Sequence, residues 1–599
     1  MTKICGLFEP WSGFLCYILH NLRRVDIPIL ALDASEKWEI YSRIMASDDL
    51  SRLQQALDDY AQSIEKFKRG DLTADQFRPL RLGMGVYAQL AHVKHMQRIK
   101  VPGGRMSATQ LEAIAEVTEK WALGLAHITT RQDVQLHHLE IEDTLELQRL
   151  LADAGVLTVG ACADTVRNVT ASHLAGVVED EVFDVTPHAE AITQYFLYHP
   201  HNRKLPRKFK IGLSGSNRDH AQIMINDLGL LARVTDAGRG FAIYVGGGLG
   251  STPEIAHLWR DFVPEKQLLA ACDAVIRVFF RDGERKNRKK ARIKFLLRKL
   301  GEKAFFEKLD QEFDKILAEE GAALQDELDR RLAEWKDEDV PALPPGGVSL
   351  GDQSFARWKA TNTIAQKQPG YRVVTVKLPL GDITAEQMRR LAEISRQYGN
   401  GEVRTTNTQN FILRWVPEGN LVALHRALTL VNLAEPDADH ITDIVSCPGA
   451  DYCSLAITKS MAVGARVREH LAAKASTGSV DDLIRSIGEF SIKISGCPNS
   501  CGQHHVADIG MTGLMVKGKD GVERPHYSLR VGGGCGPNAN IGERLDGRIP
   551  EEETPKVIAA IAQFYVAERG PGETFREFAS RKGAGELSKI GFGAATDII

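Results

Sequence analysis

The sequence predicts an α+β protein made of two duplicated halves in the order A–B–A′–B′. Three observations predict it: a long segment that recurs at constant spacing, a second set of segments that recurs after each copy, and four paired cysteines confined to one half. Residues 98–136 and 375–413 align without a gap at an offset of 277, matching Pro102 with Pro379, Gly104 with Gly381, Gln110 with Gln387 and Gln132 with Gln409. Residues 208–216 align with 489–497 at an offset of 281, and DLG at 227–229 aligns with DIG at 508–510. FAIYVGGGLG (241–250) aligns with YSLRVGGGCG (527–536) at an offset of 286. A cleft between pseudo-symmetric halves is a natural place for a large ligand.

Each A copy carries the same local logic. An apolar, β-rich run ends at a Pro/Gly turn. Ser107 or Thr384 then stands where it can cap an amphipathic helix. A second strand follows and carries Thr, Arg, Asn and Gln near its end. Residues 281–338, between the halves, are highly charged with a helical pattern and lead into PALPPGG (341–347), a turn-rich linker. Residues 34–75 also read as polar and helical. The run RDGERKNRKKARIK (281–294) reads as a solvated helix rather than a nucleic-acid patch. VGGGLG and VGGGCG lack the Lys-Ser/Thr of a phosphate loop and read as tight turns.

The bulk numbers exclude several classes. With 599 residues the chain holds several domains, and 43% hydrophobic with 26% charged residues is ordinary globular composition. A net charge of −3 argues against nucleic acid or a membrane as a bulk partner. The apolar stretch at 4–32 is interrupted by Glu9, Pro10, Arg23 and Arg24, so it predicts neither a membrane span nor a secretory signal. The cytoplasm is the expected compartment.

Cys5, Cys16, Cys162, Cys272 and Cys535 are scattered, whereas Cys447, Cys453, Cys497 and Cys501 form SCPGADYC and GCPNSC, a C-x5-C…C-x3-C pattern. Four thiolates complete the terminal coordination of a four-iron cluster. Structural zinc is the alternative, although its pairs usually have two to four intervening residues; no ligand at all is the third reading. In the first half Ser216 stands where Cys497 stands and His220 where Cys501 stands, so one metal centre is expected, in the second half. The first half carries cations instead: Arg98 and Lys100 before VPGG, Arg131 in TTRQDVQ, Arg167 in DTVRNV, and Arg207, Lys208 and Lys210 in LPRKFK. As a strand, that last segment puts Lys208 and Lys210 on one face. Cations from separate elements suit a multiply charged anion.

Taken together, the cysteine pattern, the duplication, RIKVPGG, TTRQDVQ, DTVRNV and LPRKFK resemble the sirohaem- and [4Fe–4S]-dependent sulfite and nitrite reductases, over about residues 80–570. The resemblance implies ferredoxin-like half-domains plus two sirohaem- and cluster-binding α+β domains. The expected division is a mainly helical extension at 1–78, half-domains at 79–150 and 341–432, and larger domains at 151–340 and 433–599. It implies that Cys447, Cys453, Cys497 and Cys501 bind a [4Fe–4S] cluster, with Cys501 bridging to the sirohaem iron. Arg98, Arg167, Lys208 and Lys210 match the cations around substrate. Arg131, Gln135, Arg207 and Asn499 match residues that hold the sirohaem, and some of Arg288, Arg292 and Lys294 are further candidates for its carboxylates. The chain departs at His127, where some members have another Arg. Tyr87 and Cys162 match a pair that some members join covalently beside the sirohaem; an ordinary buried pair is the other reading.

The implied reaction is the six-electron reduction of sulfite to sulfide, with nitrite reduction to ammonia as the alternative and a non-catalytic metal-binding scaffold as a remote third. Lysine at both 208 and 210 resembles the sulfite enzymes, because nitrite enzymes typically have Asn at the second position. No flavin or nicotinamide domain is evident, so a separate ferredoxin or flavoprotein reductase is the expected electron donor.

Overall fold

The computed structural model describes residues 47–89, 93–335, 338–343, 351–475 and 486–595. The apolar stretch at 4–32 and most of the 341–347 linker lie outside the described residues. Among the described residues, no helix is long and apolar enough to cross a membrane.

The chain enters through two helices, α1 (Ser47–Lys68) and α2 (Ala74–Gly83). They bury Leu53, Leu57, Tyr60, Ile64 and Phe77 against the first half. Half-domain A then runs β1 (Val86–Gln89), β2 (Lys94–Ile99), β3 (Arg105–Ser107), α3 (Ala108–Trp121), β4 (Leu125–Ile128), β5 (Val134–Leu139) and α4 (Asp143–Asp153). The expected boundaries at 78/79 and 150/151 fall inside α2 and α4, because each helix packs as one unit. Domain B contains β6 (Thr170–Ala171), α5 (Thr186–Leu197), β7 (Ile211–Ser214), β8 (Leu228–Thr235), β9 (Gly238–Val245), β10 (His257–Pro264), α6 (Leu268–Asp282), α7 (Ile293–Leu300) and α8 (Glu302–Ala333). Its sheet has the order β10-β9-β8-β7-β6, with β6, β7 and β8 parallel and the rest antiparallel.

Half-domain A′ repeats A with α9 (Gln353–Asn362), β11 (Thr363–Ala365), β12 (Tyr371–Val376), β13 (Asp382–Thr384), α10 (Ala385–Tyr398), β14 (Glu402–Thr405), β15 (Phe411–Pro417) and α11 (Leu421–Thr429). Domain B′ contains β16 (Val445–Ser446), α12 (Ser460–Ala475), β17 (Ile492–Ser495), β18 (Ile509–Lys517), β19 (Glu523–Val531), β20 (Glu543–Arg544), β21 (Ile549–Pro550), α13 (Thr554–Glu568) and α14 (Phe575–Gly593). Its order β16-β17-β18-β19-β20, parallel at the start, repeats the topology of B.

The A copies do not fold side by side. They exchange strands. The A sheet has the order β1-β2-β5-β4-β13, and its last strand comes from A′; the A′ sheet has the order β11-β12-β15-β14-β3, and its last strand comes from A. Asp382, Ile383 and Thr384 face His127, Ala126 and Leu125, while Glu402, Val403 and Arg404 face Ser107, Met106 and Arg105. A single apolar core therefore takes Ile114, Leu136 and Leu147 from A together with Met388, Leu391 and Leu413 from A′.

The turn before each exchanged strand explains the repeated glycine. Gly104 has φ 75° and an added Cβ would lie 2.5 Å from the Thr405 carbonyl; Gly381 has φ 81° and would meet the Ile128 carbonyl at 2.8 Å. Only glycine tolerates both the conformation and the approach. Each exchanged strand then ends on a capping box, Ser107 with Gln110 and Thr384 with Gln387.

One run departs from expectation. The solvated helix read at 281–294 is broken: α6 ends at Asp282, Arg288–Lys290 is a single 3-10 turn, and α7 begins at Ile293. Glycine at 283 ends the helix, and a side chain there would collide with the Phe279 carbonyl and Pro206.

After α8 the chain is tied down by Glu338. Its carboxylate accepts from Arg404 (2.9 Å), Arg414 and the Trp415 indole, and Glu402 shares both arginines. Arg404 and Arg414 are essentially unexposed. Burial alone would raise the Glu338 carboxyl, but the Arg414 and Arg404 guanidiniums outweigh it and hold it at about 2, below its usual 4.5. Glu338→Gln leaves buried cations short of countercharge and is expected to cost ~3–5 kcal/mol of stability at pH 7. Because the folded-state value is depressed, this stabilisation is full above about pH 4.5 and is lost as pH falls towards 2. Thermal unfolding across pH 2–7 checks both points; a variant as stable as wild type at pH 7 contradicts them.

Candidate functional site

The four paired cysteines sit on two loops at the ends of β16 and β17. These are neighbouring parallel strands, so both loops leave the same edge of the sheet. The Cys447 amide donates to the Ile494 carbonyl (3.1 Å), and its sulfur accepts from the Gly496 amide (3.2 Å) and lies 3.3 Å from Ser460 Oγ. The Cys453 amide donates to the Gly449 carbonyl at 2.9 Å. Glycines make this folding possible: a Cβ at Gly496 would lie 2.6 Å from the Thr458 carbonyl, and one at Gly502 would lie 1.9 Å from that of Ile494.

All four are free thiols, with Cys447 and Cys497 buried and Cys453 and Cys501 exposed. Burial pushes the Cys447 thiol up to about 12, and a Cys501 thiolate pushes it further in the same direction. The Cys453 and Cys497 thiols are raised for the same two reasons, against opposing backbone donors. Such a group ionises together only when a cationic centre compensates the charge. Asn499, exposed on the C-x3-C loop, donates to the Cys497 sulfur from backbone and side chain.

Facing this edge is the basic cluster. Phe209 forms a parallel bridge with Val166 and is fully buried, so Lys208 and Lys210 flank it on the opposite side. The same pairing sets Arg167 beside them, its amide donating to the Phe209 carbonyl at 2.8 Å. Lys208 and Lys210 keep part of their surface open although protein surrounds them on most sides. Burial lowers Lys208 to about 8, opposed by the negative charge of a Cys501 thiolate. Lys210 is lowered well below its usual value by burial and then by Arg131 and Lys208. Lys100 is likewise lowered to about 8 by burial.

The arginines differ in how they are held. Arg167 donates to the carbonyls of Ala163 (3.0 Å) and Ala161 (3.1 Å) and to the Tyr87 hydroxyl (3.1 Å), all neutral acceptors. Arg98 ion-pairs with Asp133 at 3.1 Å. Gln135 Oε1 accepts from both Arg98 Nη atoms at 2.9 and 2.7 Å when its amide is oriented to satisfy both ends. Arg131 reaches Asn226 Oδ1 (2.7 Å) and the Asn168 and Ile211 carbonyls. Among the described residues, the Nε atoms of Arg98 and Arg131 are buried donors without a hydrogen-bond partner. Cys162 and Tyr87 both lie against Arg98, and the Cys162 thiol is free and buried.

The structure thus brings Arg98, Arg131, Arg167, Lys208 and Lys210 together, with Cys501 beside Lys208. Gln135 holds Arg98. Arg207 is engaged by Asp164 (3.0 Å), which also takes Arg288 (3.0 Å). Two of the further candidates are committed elsewhere. Arg292 grips Asp227 with two 2.8 Å bonds, and Lys294 donates to the Gly248 and Leu249 carbonyls. The VGGGLG loop therefore turns carbonyls onto a lysine, the opposite of a phosphate loop. His127 is also occupied, by Asp382 (2.8 Å) and Gln409 (3.0 Å).

Sequence reasoning missed Asp133 and Asp227, the carboxylates that organise these cations. Asp227 had a signal in the DLG/DIG repeat: it accepts from the Lys210 amide (2.8 Å), as Asp508 accepts from the Ser491 amide (2.8 Å).

A family model described as the nitrite and sulphite reductase 4Fe-4S domain matches residues 162–317 and 437–590, and one described as the nitrite/sulfite reductase ferredoxin-like half domain matches 89–154 and 364–431. A sulfite reductase [ferredoxin] of Mycolicibacterium paratuberculosis is 29% identical over 82% of this chain and 83% of its own length. A ferredoxin–nitrite reductase of Synechococcus elongatus is 31% identical over 78% of this chain and 85% of its own. An assimilatory ferredoxin-dependent nitrite reductase of Haloferax mediterranei is 31% identical over 82% of each chain. The solved structure of the Mycobacterium tuberculosis NirA protein superposes with a TM-score of 0.73 at 25% identity, covering 91% of this chain and 97% of that one. With both family models matched twice, once in each half, the chain belongs to the nitrite and sulphite reductase family of oxidoreductases, whose cofactors are sirohaem and a [4Fe–4S] cluster.

Proposed function

We propose that this enzyme reduces sulfite to sulfide by six electrons, taken from a separate ferredoxin. The observation that carries the substrate assignment is the pair Lys208 and Lys210 flanking buried Phe209, with Cys501 acting on Lys208. The donor follows from the relatives, several of which are named as ferredoxin enzymes. In this reading Cys447, Cys453, Cys497 and Cys501 would hold the cluster, and Cys501 would also hold the sirohaem iron. Arg131, Gln135, Arg207 and Asn499 hold the macrocycle. The chain's own chemistry fits both groups: four free thiols on two neighbouring loops, and buried Nε donors on Arg98 and Arg131 that call for an acceptor-rich partner.

When bound, the two cofactors would supply the electrons one at a time. The protein's task is the anion and its protons. Sulfite consumes six electrons and six protons to give sulfide and three waters. Arg167, satisfied only by neutral acceptors, offers its full charge to the substrate. Arg98 is aimed by Asp133 and Gln135, a pre-set geometry that loses nothing to reorganisation. Lys208 and Lys210 add two mobile point charges and donate protons as oxygen leaves as water. Concentrating so many buried cations is costly for the free protein, and a bound dianion relieves that cost.

Nitrite is the second reading, favoured by the two 31% identical relatives named as nitrite reductases. Steady-state turnover of the holoenzyme on both anions separates them. The wild type is expected to be faster on sulfite, and Lys210→Asn to lower kcat/KM for sulfite by about 100-fold, roughly 2.7 kcal/mol, with under tenfold loss on nitrite. A wild type much faster on nitrite reverses the assignment. Cys501→Ser is expected to drop iron from about five atoms per chain to at most one and to abolish labile sulfide. A variant that keeps full iron and sulfide removes Cys501 from the ligand set.

A further inference from the structure

A second cluster of ligating side chains lies in domain B, outside the basic cluster and the cysteine loops. His199 and His201 occupy the turn that follows α5, and Asp273 lies in α6. One ligand atom from each of the three lies within 4.8 Å of the other two. Asp273 is completely buried, and His199 and His201 are partly buried.

The hydrogen bonding is what distinguishes this cluster. Asp273 Oδ2 is saturated: it accepts from Arg277 Nε at 2.8 Å and from the Tyr195 hydroxyl at 3.2 Å. Among the described residues Asp273 Oδ1 has no hydrogen-bond partner, and it faces His199 Nε2 at 3.5 Å. The Nδ1 atoms of His199 and His201 are also buried without a partner among the described residues. A fully buried carboxylate oxygen with no donor is costly for a structure to keep, and His199 Nε2 is the ring nitrogen turned towards it. A divalent cation would use the oxygen and a nitrogen from each ring, and the Arg277 and Tyr195 bonds to Oδ2 would orient the carboxylate from behind.

The local charge also suits a dication. Arg277 is matched by Glu320 through two bonds of 2.6 and 2.8 Å, so Asp273 and Glu320 against Arg277 leave one net negative charge. Two imidazoles and one carboxylate are a zinc-type donor set, and the 3.5 Å separation of His199 Nε2 and Asp273 Oδ1 is already close to the spacing of neighbouring ligands around a tetrahedral ion with bonds of about 2.0–2.2 Å.

We propose that His199, His201 and Asp273 form a structural site for a divalent transition metal of the zinc class, which clips the turn after α5 to α6. The clip lies just upstream of LPRKFK. Asn202, next to His201, accepts from the Val166 amide, and Leu205 donates to the Asp164 carbonyl. The metal would therefore stiffen the segment that delivers Lys208 and Lys210 to the basic cluster, and it makes no bond in the reaction.

The test uses holoprotein whose iron and labile sulfide show a complete cluster, so that the four paired cysteines are not open to zinc. After incubation with zinc chloride and gel filtration, wild type is expected to retain about one zinc per chain, and its thermal midpoint to rise by several degrees. The His199→Gln, His201→Gln double variant should retain less than about a tenth of that zinc and show no rise, with iron and sulfide unchanged. His201→Gln alone, at a partly exposed position, covers the case in which the double variant does not fold, and it is expected to lose most of the zinc. A wild type that retains no zinc overturns the proposal. So does zinc retained equally by wild type and the variants.

Discussion

The reciprocal exchange of β3 and β13 is the constraint on which the rest of the structure depends. Each half-domain completes its sheet with a strand from the other, so neither core closes alone. Two glutamines at the centre enforce the arrangement. Gln132 donates to the Thr405 and Ala171 carbonyls, and Gln409 donates to the Ile128 carbonyl and accepts from the Ser446 amide. Each thereby ties the partner half-domain to the first strand of its own larger domain. Both adopt positive φ, 61° and 68°, a strained conformation that persists only where surrounding bonds over-determine it.

A symmetric scaffold carries asymmetric chemistry. Thr130 donates to the Cys501 carbonyl, and Asn407, its counterpart at the offset of 277, donates to the carbonyl of His220. The two loops are held alike, yet one presents a thiol and the other an imidazole. The same holds for the cations. Arg98 and Arg131 are replaced in the second half by Thr375 and Thr408, and Asp133 by Asn410. Lys377 takes the place of Lys100 but is tied to Glu435 at 2.8 Å and to Thr442. The two halves are equivalent frames, with the paired thiols in one and the cluster of cations in the other.

Much of this was legible. The capping residues Ser107 and Thr384, the required glycines 104 and 381 and the equivalence of Gln132 with Gln409 are local features, and a repeat displays local features twice. The sharing of a face by Lys208 and Lys210 follows from the two-residue alternation of extended backbone around Phe209. Burial partners far apart in sequence left no such mark. His127 reads in the linear motif only as a departure from an arginine; β13 brings Asp382 and Gln409 to it from more than 250 residues away. Arg292 and Lys294 look like free cations in a basic run, but Asp227 and the carbonyls of the glycine loop consume them.

The amino-acid sequence by itself determined the duplication, the helix starts and turns, and which residues could ligate metal or bind an anion, because these depend on residue type and on spacing of a few positions. Tertiary structure alone decided which cations remain available to an anion and which are spent internally. That outcome depends on where the carboxylates Asp133, Asp164, Asp227 and Glu338 arrive in space, and electrostatic pairing acts over ångströms between groups the chain keeps tens or hundreds of residues apart.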